Sequence, residues 1–191
     1  MISLPIMINI SFVILGGGIK YIDDAFDEEI FNKNVAVMLA PLLGLLWGYT
    51  MYIDKYASTI LLAILLGVLF KGKIDNRAHL YGAIVIFLFI ILFRINIGYL
   101  LLIILFISGL LDEIGNDMVD RRKNFSNLFY KFLEYFFRYR FMMKVAVVAI
   151  AIFGIIPYYI AIAFLLFDMS YHVIGYYGKI KSGNAVEEAI A

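Results

Sequence analysis

The chain has 191 residues, of which 64% are hydrophobic and 16% charged, and it has no cysteine. A mean hydropathy of +0.93 is too high for a water-soluble domain and reads as an integral membrane protein. The missing cysteines exclude disulfides, zinc–thiolate centres and thiol nucleophiles; the net charge of +1 says nothing by itself, and the partners expected are membrane lipids and not nucleic acid.

A bilayer core takes roughly 20 apolar residues per helix, fewer where helices are tightly bundled. Residues 3–19 give the first expected span. They contain no Lys or Arg, so they lack the basic start of a cleavable signal peptide and read as a retained helix. Gly16-Gly17-Gly18 is followed by no Lys-Ser/Thr pair, which fits close helix packing rather than a phosphate loop. An acidic cluster follows, Ile22-Asp23-Asp24-Ala25-Phe26-Asp27-Glu28-Glu29. Spans at 35–53 and 56–70 are parted by Asp54-Lys55. A polar break from Lys71 to Arg77 precedes a span at 78–93, with His79 at its interfacial start. Arg94-Ile95-Asn96 leads into a fifth span at 96–111.

The second acidic cluster is Leu111-Asp112-Glu113-Ile114-Gly115-Asn116-Asp117-Met118-Val119-Asp120. Residues 124–141 are basic and aromatic, and suit a helix lying at the membrane interface, as an anchor or as a lid. Spans at 142–156 and 158–175 complete the set, with Gly154 and Pro157 marking the turn between them. If that turn is instead a bend, the count is six. The fold class expected is all-α: a polytopic membrane helix bundle of about seven transmembrane helices, one domain over 1–178, with a polar tail at 179–191.

Seven spans sort the 16 Lys and Arg residues as 14 on one side and only Lys55 and Arg94 on the other. By the positive-inside rule the crowded side is cytoplasmic, with the N-terminus outside and the C-terminus inside a cell membrane. Trp47, Tyr49, Tyr52, Tyr158 and Tyr159 fall towards the opposite face, as an aromatic belt would. Both acidic clusters land on the cytoplasmic face, because four spans lie between them.

Those clusters hold 9 of the chain's 15 acidic residues. Carboxylates at a membrane boundary are expensive to place, and paired clusters supply the hard oxygen ligands that a Mg²⁺–phosphate site uses. On a helix Asp24, Asp27 and Glu28 share a face, Asp23 joins Asp27, and Glu113, Asn116, Asp117 and Asp120 form a second stripe. Like charges so arranged repel by a few tenths of a kcal/mol per pair, which a divalent cation relieves. Lys33, Lys71, Lys73, Arg77 and Arg121 flank the stripes and would meet a diphosphate. The bland alternative for either cluster is an acidic, solvated loop.

The segment from Ile22 to Lys33 resembles the first signature of UbiA-type intramembrane prenyltransferases, Asn-Asp-x-x-Asp-x-x-x-Asp. The segment from Asp112 to Arg121 resembles their second, Asp-x-x-Asp-x-x-x-Asp closed by Arg. Asp23 stands for the family's Asn, Phe31 for the third Asp of the first motif, and Glu113 and Asn116 for Asp in the second. The resemblance implies Mg²⁺ and a prenyl diphosphate held between the motifs, a prenyl chain in a tunnel between helices, and a hydrophobic lipid or aromatic acceptor. It also implies a fold two spans shorter than the family's usual nine.

Asp168 and His172, at i and i+4 of the last span, are the candidates for deprotonating the acceptor; the alternative is a mutual hydrogen bond that satisfies two buried groups. The competing function is a cation-binding transporter or channel that uses the acidic clusters. A carrier favours polar groups near the bilayer centre, and besides Asp168 the spans offer few. The Asp-Gly-x-x-Ala-Arg opening of CDP-alcohol phosphotransferases is absent.

Overall fold

The structure, a computed structural model, describes residues 3–70, 72, 74, 76–120 and 128–183. The described residues form helices and no strand. They are α1 (Leu4–Phe26), α2 (Lys33–Ile53), α3 (Lys55–Phe70), α4 (Arg77–Leu92), α5 (Tyr99–Asp120), α6 (Leu128–Arg138), α7 (Phe141–Ile152) and α8 (Tyr158–Ser182).

Local chemistry sets the helix ends. Pro5 lies in the first turn of α1, where a missing N–H costs no hydrogen bond. Asn32 starts α2 by accepting from the N–H groups of Asn34 and Val35. Asp54 does the same for α3 through Tyr56 and Ala57, each at 2.8 Å. Asn76 accepts from the N–H of His79 at 2.9 Å. Between α7 and α8, Gly154 supplies a φ of 70°, and Pro157 precedes the first residue of α8.

Four helices are long and apolar enough to cross a membrane: α1, α2, residues 99–119 of α5, and α8. At about 1.5 Å per residue even the shortest, 21 residues, reaches about 32 Å against a core of about 30 Å. The apolar helices α3 and α4, of 16 residues each, and α7, of 12, reach only about 24 and 18 Å. Of the seven expected spans, then, four meet the length criterion and three fall short of it.

Two of the long helices overrun their expected ends. α1 continues from the expected boundary at 19 to Phe26, and α5 from 111 to Asp120, so both acidic clusters ride on helical extensions of apolar rods. The first extension stops early. Asp27 caps α1, Glu29 turns into the left-handed region at φ 54°, and Glu28 lies beyond the helix rather than on one face with Asp24.

The apolar helices alternate in direction. The C-terminal halves of α1, α5 and α8 meet the N-terminal turns of α4 and α7 around one cavity. At the other end the Tyr159 hydroxyl donates to Asp54 at 2.8 Å, and the N–H of Gly98 donates to Thr59 Oγ1 at 3.0 Å, joining the turns at that end. α1 packs most extensively against α8. Gly16 allows that approach: a Cβ there would lie 2.8 Å from the Phe167 carbonyl carbon. Phe12, Leu15, Met51, Leu61, Leu105 and Ile160 fill the interior. α6, the most amphipathic helix, lies against α5 and α7 and covers 128–138 of the expected 124–141 stretch, of which 124–127 lie outside the described residues.

Candidate functional site

One end of the bundle holds a cavity of about 360 Å³, towards the lower end of the roughly 300–1,000 Å³ usual for small-molecule sites. Its wall is apolar, with Leu43, Trp47, Ile64, Ile86, Phe164 and Phe167 among the lining residues. Its polar side chains are Asp23 of α1, His79 of α4, Asp112 and Glu113 of α5, Tyr139 and Arg140 at the α6–α7 corner, Lys144 of α7, and Asp168, Tyr171 and His172 of α8. Each acidic cluster therefore contributes to this one cavity.

These polar groups are cross-connected. Asp23 Oδ1 lies 2.9 Å from His79 Nε2, and its Oδ2 accepts from the Tyr171 hydroxyl at 2.9 Å. One carboxylate thus ties together α1, α4 and α8. Lys144 Nζ pairs with Asp168 Oδ2 at 2.7 Å and donates to the Tyr139 carbonyl at 2.6 Å. His172 stands 3.6 Å from the other oxygen of Asp168, and its ring sits 5.6 Å from that of Tyr139. Arg140 approaches Glu113 at 3.5 Å. Asp112, 1% exposed, accepts from the backbone N–H groups of Met142 and Met143, both at 2.8 Å. It caps α7 from a different helix and neutralises the positive end of that helix.

The other expected metal ligands whose side chains are described do not line the cavity. Asp24 is buried beneath α8 and paired with Lys20 at 2.7 Å. Asp27, Glu28 and Asp117 are exposed, and none of them lines the cavity, nor does Asn116. Asp120 closes α5, and its side chain lies outside the described residues. Of the expected diphosphate cations, Lys71, Lys73 and Arg121 also lie outside the described residues. Arg77 is exposed and away from the cavity wall. Lys33 pairs with Glu29 at 2.6 Å and holds that carboxyl below its ordinary range. Asp168 and His172 both line the cavity.

Sequence reading missed His79, Arg140, Lys144 and Tyr171. Lys144 and Tyr171 carried a signal: a lysine one turn into an apolar run, and a tyrosine next to the singled-out His172. Arg140 and His79 carried none, because only the fold brings the α6–α7 corner over α5 and the start of α4 onto α1.

The described lining holds four carboxylates, Asp23, Asp112, Glu113 and Asp168, against two permanent cations, Arg140 and Lys144. With Asp112 committed to the start of α7, Asp23, Glu113 and Asp168 remain against those two cations, a net negative lining that favours a cation. Asp23 and Glu113 line the cavity, and an ionised carboxylate accepts at about four lone-pair positions. Mg²⁺ takes one or two carboxylates and completes its shell with phosphate oxygens and water, so this pair fits it in kind. Among the described residues no group of three or more potential ligands is gathered.

The chain is thus an all-helical protein with four helices able to span a membrane and a charged, apolar-backed cavity at one end of the bundle. No family model, no curated protein and no solved structure matches it.

Proposed function

We propose that this cavity binds a prenyl diphosphate and that the chain transfers the isoprenyl group to a hydrophobic acceptor in the membrane. The observation that carries the reading is one cavity with an apolar wall and residues of both acidic clusters among its polar lining. An amphiphile with a branched hydrocarbon tail and a polyanionic head matches that division. The tail would lie along Leu43, Trp47, Ile86 and Phe167, where its burial is worth about 25 cal/mol per Å² of apolar surface. Asp23 and Glu113 would hold Mg²⁺, which neutralises charge on the departing diphosphate. Tyr171 and His79 fix the Asp23 carboxylate in place. Breaking the carbon–oxygen bond leaves an allylic cation, and the Phe164, Phe167 and Trp47 rings supply a dry wall able to stabilise it. His172, half-exposed and next to Asp168, takes the proton that the acceptor loses; Asp168 orients that ring and Lys144 together.

In this reading α3, α4 and α7 also traverse the bilayer, tilted or with the membrane locally thinned. The 14-to-2 distribution of basic residues then puts the cavity mouth on the cytoplasmic side of a cell membrane.

Purified protein incubated with labelled prenyl diphosphates and Mg²⁺ should release diphosphate, and Asp23→Asn should abolish the release. Prenyl diphosphate with Mg²⁺ should also raise the melting temperature, as any ligand selective for the folded state does. Absence of both release and thermal stabilisation across donors of two to four isoprene units would refute the reading.

A further inference from the structure

We infer that Arg140 and Lys144 form a clamp for a phosphate-bearing ligand at the cavity, a role that falls on neither the acidic motifs nor the basic residues flanking them. The inference rests on the proposed function only for the identity of the ligand's tail. Arg140 and Lys144 are the two permanent cations among the described residues of the cavity lining. Arg140 is the residue just before α7 and Lys144 lies one turn into that helix, and both reach the cavity wall.

The backbone supports the same assignment. Arg140 has φ 51° and ψ 51°, a left-handed conformation that glycine adopts freely and arginine adopts at a cost. Strain of this kind persists where surrounding contacts hold it, and here they do. The N–H of Arg140 donates to the Phe137 carbonyl at 3.0 Å, and Lys144 grips the carbonyl of Tyr139, the residue just before it, at 2.6 Å. One cation therefore helps to fix the backbone that carries the other.

Donor capacity remains. A guanidinium has five N–H donors. That of Arg140 is 53% exposed and makes one long contact, 3.5 Å, with Glu113. An ammonium has three N–H donors, and Lys144 directs two of them to Asp168 and Tyr139. A forked donor beside a point charge is the arrangement that takes phosphate oxygens. The four lining carboxylates oppose a bare anion, so the clamp should act on a phosphate presented together with a divalent cation.

Arg140→Gly tests this, because it removes the guanidinium and relieves the backbone at once. The variant should melt at or slightly above the wild-type temperature. Its affinity for pyrophosphate with Mg²⁺, measured by calorimetry in lipid-free detergent, should fall roughly tenfold to a hundredfold, as loss of a charge-assisted contact predicts. Lys181→Ala removes the same charge from an exposed position outside the cavity and should leave the affinity within twofold. Equal pyrophosphate affinity in Arg140→Gly and wild type overturns the clamp while leaving the prenyl reading standing. No pyrophosphate binding by wild type overturns both. In nanodiscs, competition by phosphatidylglycerol that disappears in Arg140→Gly would support the clamp, assign it to a lipid headgroup and remove the prenyl reading. Pyrophosphate affinity unaffected by that lipid supports the clamp with a free diphosphate.

Discussion

Asp112→Ala tests whether the second acidic cluster is wholly a ligand set or partly a structural one. Asp112 accepts two backbone N–H groups of α7 at 2.8 Å each and is 1% exposed. Alanine leaves both donors without that partner, one of them in a buried hydrogen bond and the other in a partly buried one. An abandoned buried donor costs about 1–3 kcal/mol, and losing a helix cap costs about 0.5–2 kcal/mol. These figures overlap, so the expected total is about 2–4 kcal/mol. For a chain of this length that corresponds to a fall in melting temperature of roughly 4–16 °C. The assay is thermal unfolding in detergent without Mg²⁺ or diphosphate. Asp112→Asn keeps one acceptor oxygen and should recover about half of the loss. A pure ligand role predicts the opposite pattern: an unliganded protein unchanged or stabilised by removal of a carboxylate, with only the Mg²⁺-dependent gain missing. An unliganded Asp112→Ala protein within about 0.5 kcal/mol of wild type would refute the capping account.

Two further outcomes follow from the packing. Lys144→Met should cost about 1–3 kcal/mol by taking the ammonium from Asp168 Oδ2 and leaving that carboxylate with His172 alone at 3.6 Å, a figure set low because both side chains are partly exposed, at 12% and 24%. Adding Asp168→Leu should return part of that cost, and a double-mutant cycle in denaturant showing no coupling would exclude the pair as a unit. Gly16→Val should cost about 1–3 kcal/mol by forcing α1 away from the Phe167 backbone. Gly67→Ala, where an added Cβ meets nothing within 4 Å, should be neutral or gain up to about 1 kcal/mol from helix propensity; equal losses in the two variants would show that the close α1–α8 approach is misplaced.

Much of the fold was legible because apolar runs and their punctuation are local signals. Asp54, Asn76, Gly154 and Pro157 sit where a one-residue change of chemistry ends or starts a helix. The helix ends inside the acidic clusters were not legible, because charge was taken as the boundary of a span while the helices of α1 and α5 simply run through it. The first stripe failed at Glu28 for the same reason in reverse: a left-handed turn at Glu29 breaks a periodicity that spacing alone would continue. Of the residues that spacing singled out, Asp23, Glu113, Asp168 and His172 line the cavity, but spacing could not separate Asp24 from them; Asp112, which lines it too, was left out of the expected stripe. A carboxylate committed to Lys20 or to a neighbouring helix has the same sequence appearance as one aimed into a pocket. Arg140 was read as part of the interfacial stretch 124–141, because its aromatic surroundings describe α6 and do not show where α6 ends.

Phe31 shows how the departures from the prenyltransferase pattern bear on the site. It stands where the first motif would carry its third carboxylate, and it is nearly buried. Its ring stacks on Tyr21 at 4.4 Å and lies parallel to Tyr177 at 6.3 Å, with Lys181 Nζ 5.0 Å from its centre. Those contacts join the α1–α2 turn to α8 by apolar and cation–π packing. A carboxylate there would stand among rings, with Lys181 as the cation placed beside it. Phe31 therefore closes the outer edge of the first motif, and of that motif's acids only Asp23 reaches the cavity. A polyanionic head bound there must be held mainly from the other side, by Glu113, Arg140 and Lys144. It follows that Phe31→Asp should loosen the α1–α2 turn without improving diphosphate affinity, whereas substitutions at the α6–α7 corner should change that affinity directly.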